Sequence, residues 1–309
     1  MRRLLVVSLA VAGALLLGGV RAAAPGFLVA GDPPPLDRPP APAESQPDTF
    51  FQERLFFPGL EAVRRSPPPT AQGPVVGGLV PHHTLAGSMF SRFFVSLETS
   101  PPGTVIVVGP NHDHRGQKVI TGRRGWSTPF GVVASNEELV SRLVTGGLAV
   151  EDEEALGPEH SVGALMAYVK YHAPAARVVP LILHRTVTRR EMERLAEALA
   201  PLVGPQCVLV ASVDFSHYLT RRQAEANDQV TMKAILDFDL DALMGLDSTF
   251  VDSPPSLGVL MLTMQRIGAQ GPEVLGNTNS GVILGSDSVE STSYFTLRYA
   301  ARAPAGTSR

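Results

Sequence analysis

The chain has 309 residues, 44% of them hydrophobic and 18% charged, with 26 basic and 29 acidic residues and a net charge of -3. It is long enough to bury one large core, and a charge this small favours no class of partner. Its arginine pairs, which begin at positions 64, 123, 189 and 221, form no basic stripe, so we expect no nucleic-acid partner. The single cysteine, Cys207, excludes an intramolecular disulfide, so a metal site must use nitrogen and oxygen ligands or this one thiolate.

Residues 1–24 have the pattern of an export signal. Arg2 and Arg3 precede 17 uncharged residues at 4–20, and alanines follow at 22–24. This pattern predicts either a signal peptide or a retained signal anchor, and it leaves that choice open. We therefore expect an exported protein, periplasmic or extracellular, or one that is attached to the membrane through its N-terminus.

The next segment, 25–49, is rich in proline and is interpreted as a semi-rigid linker that cannot bury enough apolar surface to fold. The folded domain is expected over 50–303, and a disordered tail over 304–309. Four phenylalanines near the start of the domain, at 50, 51, 56 and 57, are expected to cover its core.

Short apolar runs bounded by glycine or proline predict strands that are buried on both faces of a parallel sheet. Four such strands end at Val80, Val108, Leu183 and Ser212, and late strands are expected at 274–277, at 282 and at 293–299. Helices are expected between them, at 86–97, 136–143, 159–172, 188–202, 221–238, 240–246 and 257–267.

Two of these helices carry capping-box patterns, Ser135 with Glu138 and Thr188 with Glu191. Strands that alternate with helices predict an α/β fold in one domain. We expect a central, mostly parallel or mixed sheet, flanked by helices on both faces and ending in an antiparallel edge.

Histidines lie within five residues after the ends of three predicted strands: His82, His112 and His217. Ligands of open α/β sheets bind outside the carboxyl ends of the strands, so these side chains are candidates for one site. Neutral imidazoles suit iron, copper and zinc, and two of them with a carboxylate form the usual set for non-haem Fe(II). The alternative is that each histidine caps a loop by hydrogen bonding.

Other residues near these strand ends are candidates for proton transfer. Asp214 can orient an imidazole and His217 can accept a proton, although Asp214 also suits the cap of a turn. Glu159 is equally suited to cap a helix, and His160 can face the crevice from that helix. The remaining histidines, at 83, 114, 172 and 184, are expected to lie behind the ligands, at the surface or in structural positions.

Five short motifs occur in a recognisable order: PHHTLAGS at 81, GPNHDH at 109, EHSV at 159, SVDFSHY at 212 and DSPPSLG at 252. In this order the chain resembles the Memo family, also called AmmeMemoRadiSam system protein B. The family's fold is similar to class III extradiol dioxygenases of the LigB type, in which two His and one Glu hold iron and a further His acts as acid and base.

The resemblance implies roles for particular residues. His82 and His112 match the family's two metal-ligand histidines, His217 matches the histidine of its SDFxH motif, and His160 lies in its EHS segment. The family's third ligand is commonly a cysteine, and Asp252 stands in that register here. A carboxylate in place of a thiolate favours Fe(II) over copper(I). The family's usual PHAGY sequence is also altered after His82, which implies a different pocket wall.

Three functions remain open from the sequence. The first is a non-haem iron-dependent oxidoreductase of extradiol-dioxygenase type, in which His82, His112 and Asp252 bind Fe(II) and His217, His160 and Asp214 serve the chemistry. The second is a non-catalytic module that binds a metal, a peptide or a partner in the same crevice. The third is a zinc hydrolase. The expected cofactor is a divalent metal, Fe(II) before copper or zinc, and the expected ligand is a small molecule or a peptide.

Overall fold

The computed structural model describes residues 45–287 and 289–302. The predicted signal segment, most of the predicted linker and the predicted tail lie outside these residues. None of the described helices is both long enough and apolar enough to cross a membrane. The described fold begins at Ser45, five residues before the expected domain start at Phe50.

The described residues form twelve strands and eleven α-helices. The strands are β1 Ser45–Pro47, β2 Val75–Val80, β3 Thr104–Pro110, β4 Val119–Thr121, β5 Gly125–Thr128, β6 Gly131–Val133, β7 Val150–Glu151, β8 Arg177–Leu183, β9 Cys207–Ser212, β10 Phe215–Leu219, β11 Gln270–Asn279 and β12 Ser291–Ala300. The helices are α1 Glu53–Arg65, α2 Gly87–Phe94, α3 Glu137–Thr145, α4 Glu153–Leu156, α5 His160–Gly163, α6 Met166–His172, α7 Arg189–Leu199, α8 Arg221–Leu236, α9 Leu240–Met244, α10 Pro254–Arg266 and α11 Ser280–Leu284. Short 3-10 turns at Thr84–Ala86 and Val95–Leu97 flank α2.

Nine of the described strands form the main sheet, and its centre is parallel. The order along the sheet is β10-β12-β2-β9-β3-β8-β4-β7, and β11 also pairs with β12. The four central strands β2, β9, β3 and β8 are the four that the apolar runs predicted, and each pairs in parallel with its neighbour. The late strand β12 runs antiparallel to β2, and β11 runs antiparallel to β12, so the expected antiparallel edge is present. β10, which was not predicted as a strand, also runs antiparallel to β12. Consequently, the carboxyl ends of the central strands meet at one edge.

Helices cover both faces of this sheet and bury two apolar clusters. Side chains of a strand alternate between faces, so Ile106 and Val108 of β3 enter one cluster while Val105 and Val107 enter the other. The first cluster packs against α3, α7, α8, α9 and α10, and the second against α1, α2, α4, α5 and α6. The predicted α/β fold with helices on both faces is therefore confirmed.

A second, three-stranded sheet was not predicted. In it β1 pairs in parallel with β5, and β5 pairs antiparallel with β6. β1 comes from the end of the proline-rich segment, where Gln46 lies opposite the buried Trp126. Proline is tolerated in a strand at the edge of a sheet, so Pro47 does not prevent this pairing.

Three local predictions were wrong. Ser135 is not a helix cap, because it is still extended in a bridge with Val178, and the side chain of Asn136 caps α3 by accepting a bond from the Leu139 N–H. The position predicted as a strand at Val282 lies in α11, whose cap is Asn279. The single helix expected up to position 172 is two short helices, α5 and α6.

Candidate metal centre

Polar side chains meet at the edge where the parallel strands end. His82, His112 and Asp214 each lie two residues past the end of their strand, β2, β3 and β9 respectively. Asp252 comes from another direction, two residues before α10, and its N–H donates to the Asp214 carbonyl oxygen at 3.1 Å. The topology therefore brings together four residues that are far apart in the sequence.

His82 is buried against two carboxylates. Its Nε2 lies 3.1 Å from Asp252 Oδ2 and 3.6 Å from Asp214 Oδ2. Asp214 Oδ1 also accepts a bond from the His82 backbone N–H at 3.0 Å, and the Asp214 N–H donates to Asp252 Oδ2 at 3.1 Å. Burial alone lowers the pKa of His82, but the carboxylates of Asp214, Asp252 and Glu159 outweigh it and raise that pKa to about 9. The surplus of negative charge favours a cation here.

His112 is held by Glu159. The imidazole Nδ1 lies 2.8 Å from Glu159 Oε1, and the His112 backbone N–H donates to Glu159 Oε2 at 2.8 Å. Burial raises the pKa of Glu159, but these bonds and one from the Ser161 N–H lower it to about 2, so the carboxylate is ionised. An ionised carboxylate at Nδ1 favours the proton on that nitrogen and leaves the lone pair of Nε2 free. This Nε2 lies 3.9 Å from Asp252 Oδ2.

His160 stacks on His112, with ring centroids 4.2 Å apart and an interplanar angle of 20°. Its Nδ1 lies 3.4 Å from Glu159 Oε1. Burial, followed by the electrostatic effect of the neighbouring imidazoles of His82 and His112, lowers the pKa of His160 to about 4. The ring is therefore neutral near pH 7, and a neutral imidazole can bind a metal or accept a proton.

The donor atoms of this centre fit a metal ion. His82, His112 and His160 each offer a nitrogen, and the three lie within 4.8 Å of one another, so this cluster could hold a metal ion. Asp252 Oδ2 faces the first two rings, and Asp252 Oδ1 is buried without a hydrogen-bond partner among the described residues. A buried carboxylate oxygen without a partner is costly unless a cation or water completes it.

His217 lies in the wall of the adjoining cavity, outside the cluster of three histidines. Its neighbours Ser216 and Tyr218 have φ angles of 29° and 57°, in the left-handed region that is unfavourable for non-glycine residues. Ser216 Oγ donates to the buried Asp228 Oδ1 at 2.8 Å, and Asn277 Nδ2 donates to Asp228 Oδ2 at 3.2 Å. This network therefore holds the bent backbone that carries His217, whose buried Nδ1 has no partner among the described residues.

The centre opens into a cavity of about 820 Å³, within the usual range for small-molecule sites. Its described lining residues combine imidazoles and carboxylates with an apolar wall: Phe50, Pro110, Ala164, Leu183, Met244, Leu246 and Val251. The cavity is large enough for a small organic molecule beside the cluster of three histidines.

The structure brings five of the six predicted site residues into one connected cluster: His82, His112, His160, Asp214 and Asp252. The sixth, His217, lies in the cavity wall. Sequence reasoning missed Glu159 as the partner of His112, because a glutamate before a helix was equally well explained as a cap. It does both, since the Glu159 side chain also accepts the Ser161 N–H.

The fold and this cluster define an α/β protein with a histidine-rich centre at the strand ends. The family model described as Memo-like protein matches residues 59–297, and the chain belongs to the Memo family. The resemblance that the motifs indicated is thereby confirmed.

The chain is also similar to proteins that carry the name MEMO1 family protein. A MEMO1 family protein of Pyrobaculum aerophilum is 27% identical over 69% of this chain and 79% of its own length. A MEMO1 family protein of Methanopyrus kandleri is 29% identical over 71% of this chain and 82% of its own length. Among solved structures, an uncharacterized protein from Escherichia coli K12 is similar, with a TM-score of 0.49 and 17% identity over 70% of this chain and 98% of that chain.

Proposed function

We propose that this Memo-family chain holds Fe(II) with His82, His112 and Asp252 and uses it in an oxidoreductase reaction of extradiol-dioxygenase type on a small molecule. One observation carries the proposal: the Nε2 atoms of both histidines approach the same oxygen, Asp252 Oδ2, at 3.1 and 3.9 Å. Metal–ligand bonds of about 2.1 Å separate neighbouring ligand atoms by roughly 3 Å. The 3.1 Å spacing matches this value and the 3.9 Å spacing is somewhat longer, which supports one ion shared by the three donors.

The donor set supports iron in particular. Two imidazoles with one carboxylate are the ligands typical of non-haem Fe(II), which when bound keeps open positions for a substrate and dioxygen. Glu159 orients His112 through Nδ1, a contact that commonly accompanies a metal-binding histidine. Asp214 bonds to the His82 backbone and donates its own N–H to Asp252, so we assign it a positioning role.

His160 and His217 are assigned to proton transfer. His160 is neutral near pH 7 because its pKa is lowered to about 4, and its side chain is 43% exposed beside His112. His217 contributes a ring from the cavity wall, on a backbone held by the Asp228 network. A neutral imidazole within reach of a substrate hydroxyl can accept its proton.

A second candidate is a non-catalytic module that binds a metal ion. The clustering of His160 with His82 and His112 supports it, because three imidazoles and Asp252 would make four protein ligands. Four protein ligands close a metal site, as in structural zinc centres, whereas catalytic sites keep a position open.

Metal analysis of the anaerobically purified chain tests both candidates. The wild type is compared with His82→Ala, Asp252→Ala and His160→Ala, and with His184→Ala as a control whose side chain does not line the cavity. We expect about one iron per chain in the wild type, in His160→Ala and in the control, and its loss in the other two variants. No divalent metal in the folded wild type would refute the proposal.

Oxygen uptake separates a catalyst from a binding module. We expect the iron-loaded chain to consume dioxygen when a catechol is added, and His217→Ala to lose most of this uptake while keeping its iron. Iron retained by His82→Ala and lost by His160→Ala would contradict the assigned ligands. Stoichiometric metal without uptake for any catechol tested would favour the binding module.

A further inference from the structure

Arg185 lies two residues past the carboxyl end of β8, beside the proposed metal centre. Pro110 of β3 pairs with Leu183 of β8, and the Asn111 N–H donates to the Leu183 carbonyl at 2.9 Å. The two loops that carry His112 and Arg185 therefore leave the sheet side by side. Both side chains line the same cavity.

The charge of Arg185 is not balanced within the described chain. No described residue forms an ion pair with it, and no other described arginine or lysine lines the cavity. Two other cations have ion-pair partners: Lys118 Nζ lies 2.9 Å from Glu191 Oε2, and Arg115 Nη2 lies 3.2 Å from Asp113 Oδ2. Arg185 is an exposed residue, and its unpaired guanidinium in the wall of a concave cavity is available to an anionic ligand.

The carboxylates that line the cavity are already engaged elsewhere. Asp214 and Asp252 contact His82. Asp247 accepts bonds from the Thr249 N–H at 2.9 Å and from its hydroxyl at 2.6 Å. The described lining of the cavity therefore combines histidines, engaged carboxylates, apolar side chains and one guanidinium.

We propose that Arg185 binds a carboxylate of the ligand whose other end faces the histidine cluster. The identity of that other end rests on the proposed function, whereas the carboxylate contact does not. A guanidinium matches a carboxylate with two parallel hydrogen bonds. One arginine balances one negative charge, and the three aspartates in the lining would repel a doubly charged phosphate more strongly than a singly charged carboxylate, so a carboxylate fits better. The ligand class is thus an organic acid with an apolar body.

Binding of matched ligand pairs tests this assignment. The probes are catechols that carry a carboxylate directly or on one or two methylene groups, each compared with its neutral carboxamide. Dissociation constants are measured by calorimetry on the full chain loaded with Zn(II), which prevents turnover, and again without metal. The proteins are the wild type, Arg185→Gln, Arg185→Lys and Arg190→Gln, the last being an exposed arginine outside the cavity lining.

For at least one tether length, we expect the wild type to bind the carboxylate about tenfold to a hundredfold more tightly than the carboxamide. Arg185→Gln should bring this ratio close to one, Arg185→Lys should give an intermediate ratio, and Arg190→Gln should keep the wild-type ratio. A ratio near one in the wild type for every tether, or a high ratio that survives in Arg185→Gln, would overturn the assignment. A phosphonate that binds more tightly than the carboxylate of the same tether would overturn the choice of carboxylate.

Metal content of each sample separates this inference from the proposed function. A chain that takes up no metal contradicts the metal proposal, and the ratio measured without metal still decides the role of Arg185. A chain that takes up metal but has no carboxylate preference contradicts the role of Arg185 alone.

Discussion

Two histidine–glutamate pairs in this molecule share their local geometry and differ in their surroundings. In both, the imidazole Nδ1 lies 2.8 Å from a glutamate Oε1: His112 with Glu159, and His172 with Glu98. Nε2 of His112 approaches Asp252 beside the cavity. Nε2 of His172 is buried and has no partner among the described residues.

The second nitrogen therefore distinguishes the two pairs. His172 packs among aromatic rings, with centroids 6.1 Å from Phe94 and 4.9 Å from Tyr171. Burial there lowers the pKa of His172 to about 4, even though its Glu98 partner acts to raise it. A carboxylate at Nδ1 orients a ring in either setting, but only His112 presents Nε2 to further donor atoms. A histidine–glutamate pair alone is thus no evidence of a metal site.

The largest expected effect concerns the pH dependence that burial of His172 creates. Its folded pKa of about 4 lies below the unfolded value of 6.5, so the unfolded chain binds more protons between these pH values. Above pH 6.5 the ring is neutral in both states, and burying it has no effect on how the free energy of unfolding varies with pH. As the pH falls from 6.5 toward 4, the free energy of unfolding decreases by about 3 kcal/mol at most. His172→Phe should remove this part of the decline, as measured by urea unfolding of the metal-free chain at pH 7 and pH 4.5.

Other histidines titrate in the same range, so the difference between variant and wild type is the informative quantity. His114→Gln, a change at an exposed position, serves as the control and should keep the wild-type decline. If His172→Phe lost as much stability between the two pH values as the wild type, the ring would not be buried in its neutral form.

The central sheet could be predicted from local sequence, whereas the second sheet could not. The four apolar runs identify β2, β3, β8 and β9 because a strand buried on both faces needs apolar side chains at every position. β1 has no such pattern, since Ser45–Pro47 is only partly covered and depends on pairing with β5. The cap of α3 was also misplaced, because the bridge between Ser135 and Val178 is a tertiary contact.

Prediction of the site was limited in the same way, because local sequence does not indicate contacts between distant residues. Histidines after strands follow from topology, so His82 and His112 could be placed at one edge before any contact was known. The contact between Glu159 and His112 joins residues 47 positions apart. The hydrogen bond from Ser216 to Asp228 joins β10 to a helix, and nothing in the local sequence of either segment indicates it. Partners that orient site residues are fixed by packing rather than by local pattern.

The same change in the two glutamates should have different effects on metal binding. Glu159→Gln removes the charge that holds the proton on His112 Nδ1, and it should weaken metal affinity about tenfold to a hundredfold. Glu98→Gln makes the same chemical change at the His172 pair and should leave metal affinity unchanged. Both are measured by competition with a chelator of known affinity.

The informative quantity is the difference in metal affinity between the two variants, because each glutamine is similar in size to the glutamate it replaces. Equal losses of metal affinity in both variants would mean that the effect arises from general destabilisation. An unchanged affinity in Glu159→Gln would show that His112 does not depend on this partner to present Nε2.

The smallest effect is expected at the outer contact of the His172 pair. Arg64 Nη2 lies 3.6 Å from Glu98 Oε1, with side chains 53% and 38% exposed, and its guanidinium lies 6.0 Å from the Tyr171 ring centroid. Exposed ion pairs contribute little, so Arg64→Gln should change the free energy of unfolding by less than about 1 kcal/mol. The positive charge of Arg64 helps to lower the pKa of His172, so its removal should narrow the pH range over which stability declines. Urea unfolding of this variant over the same pH range measures both quantities, and a loss well above that size would mean that Glu98 needs Arg64 to hold the buried ring.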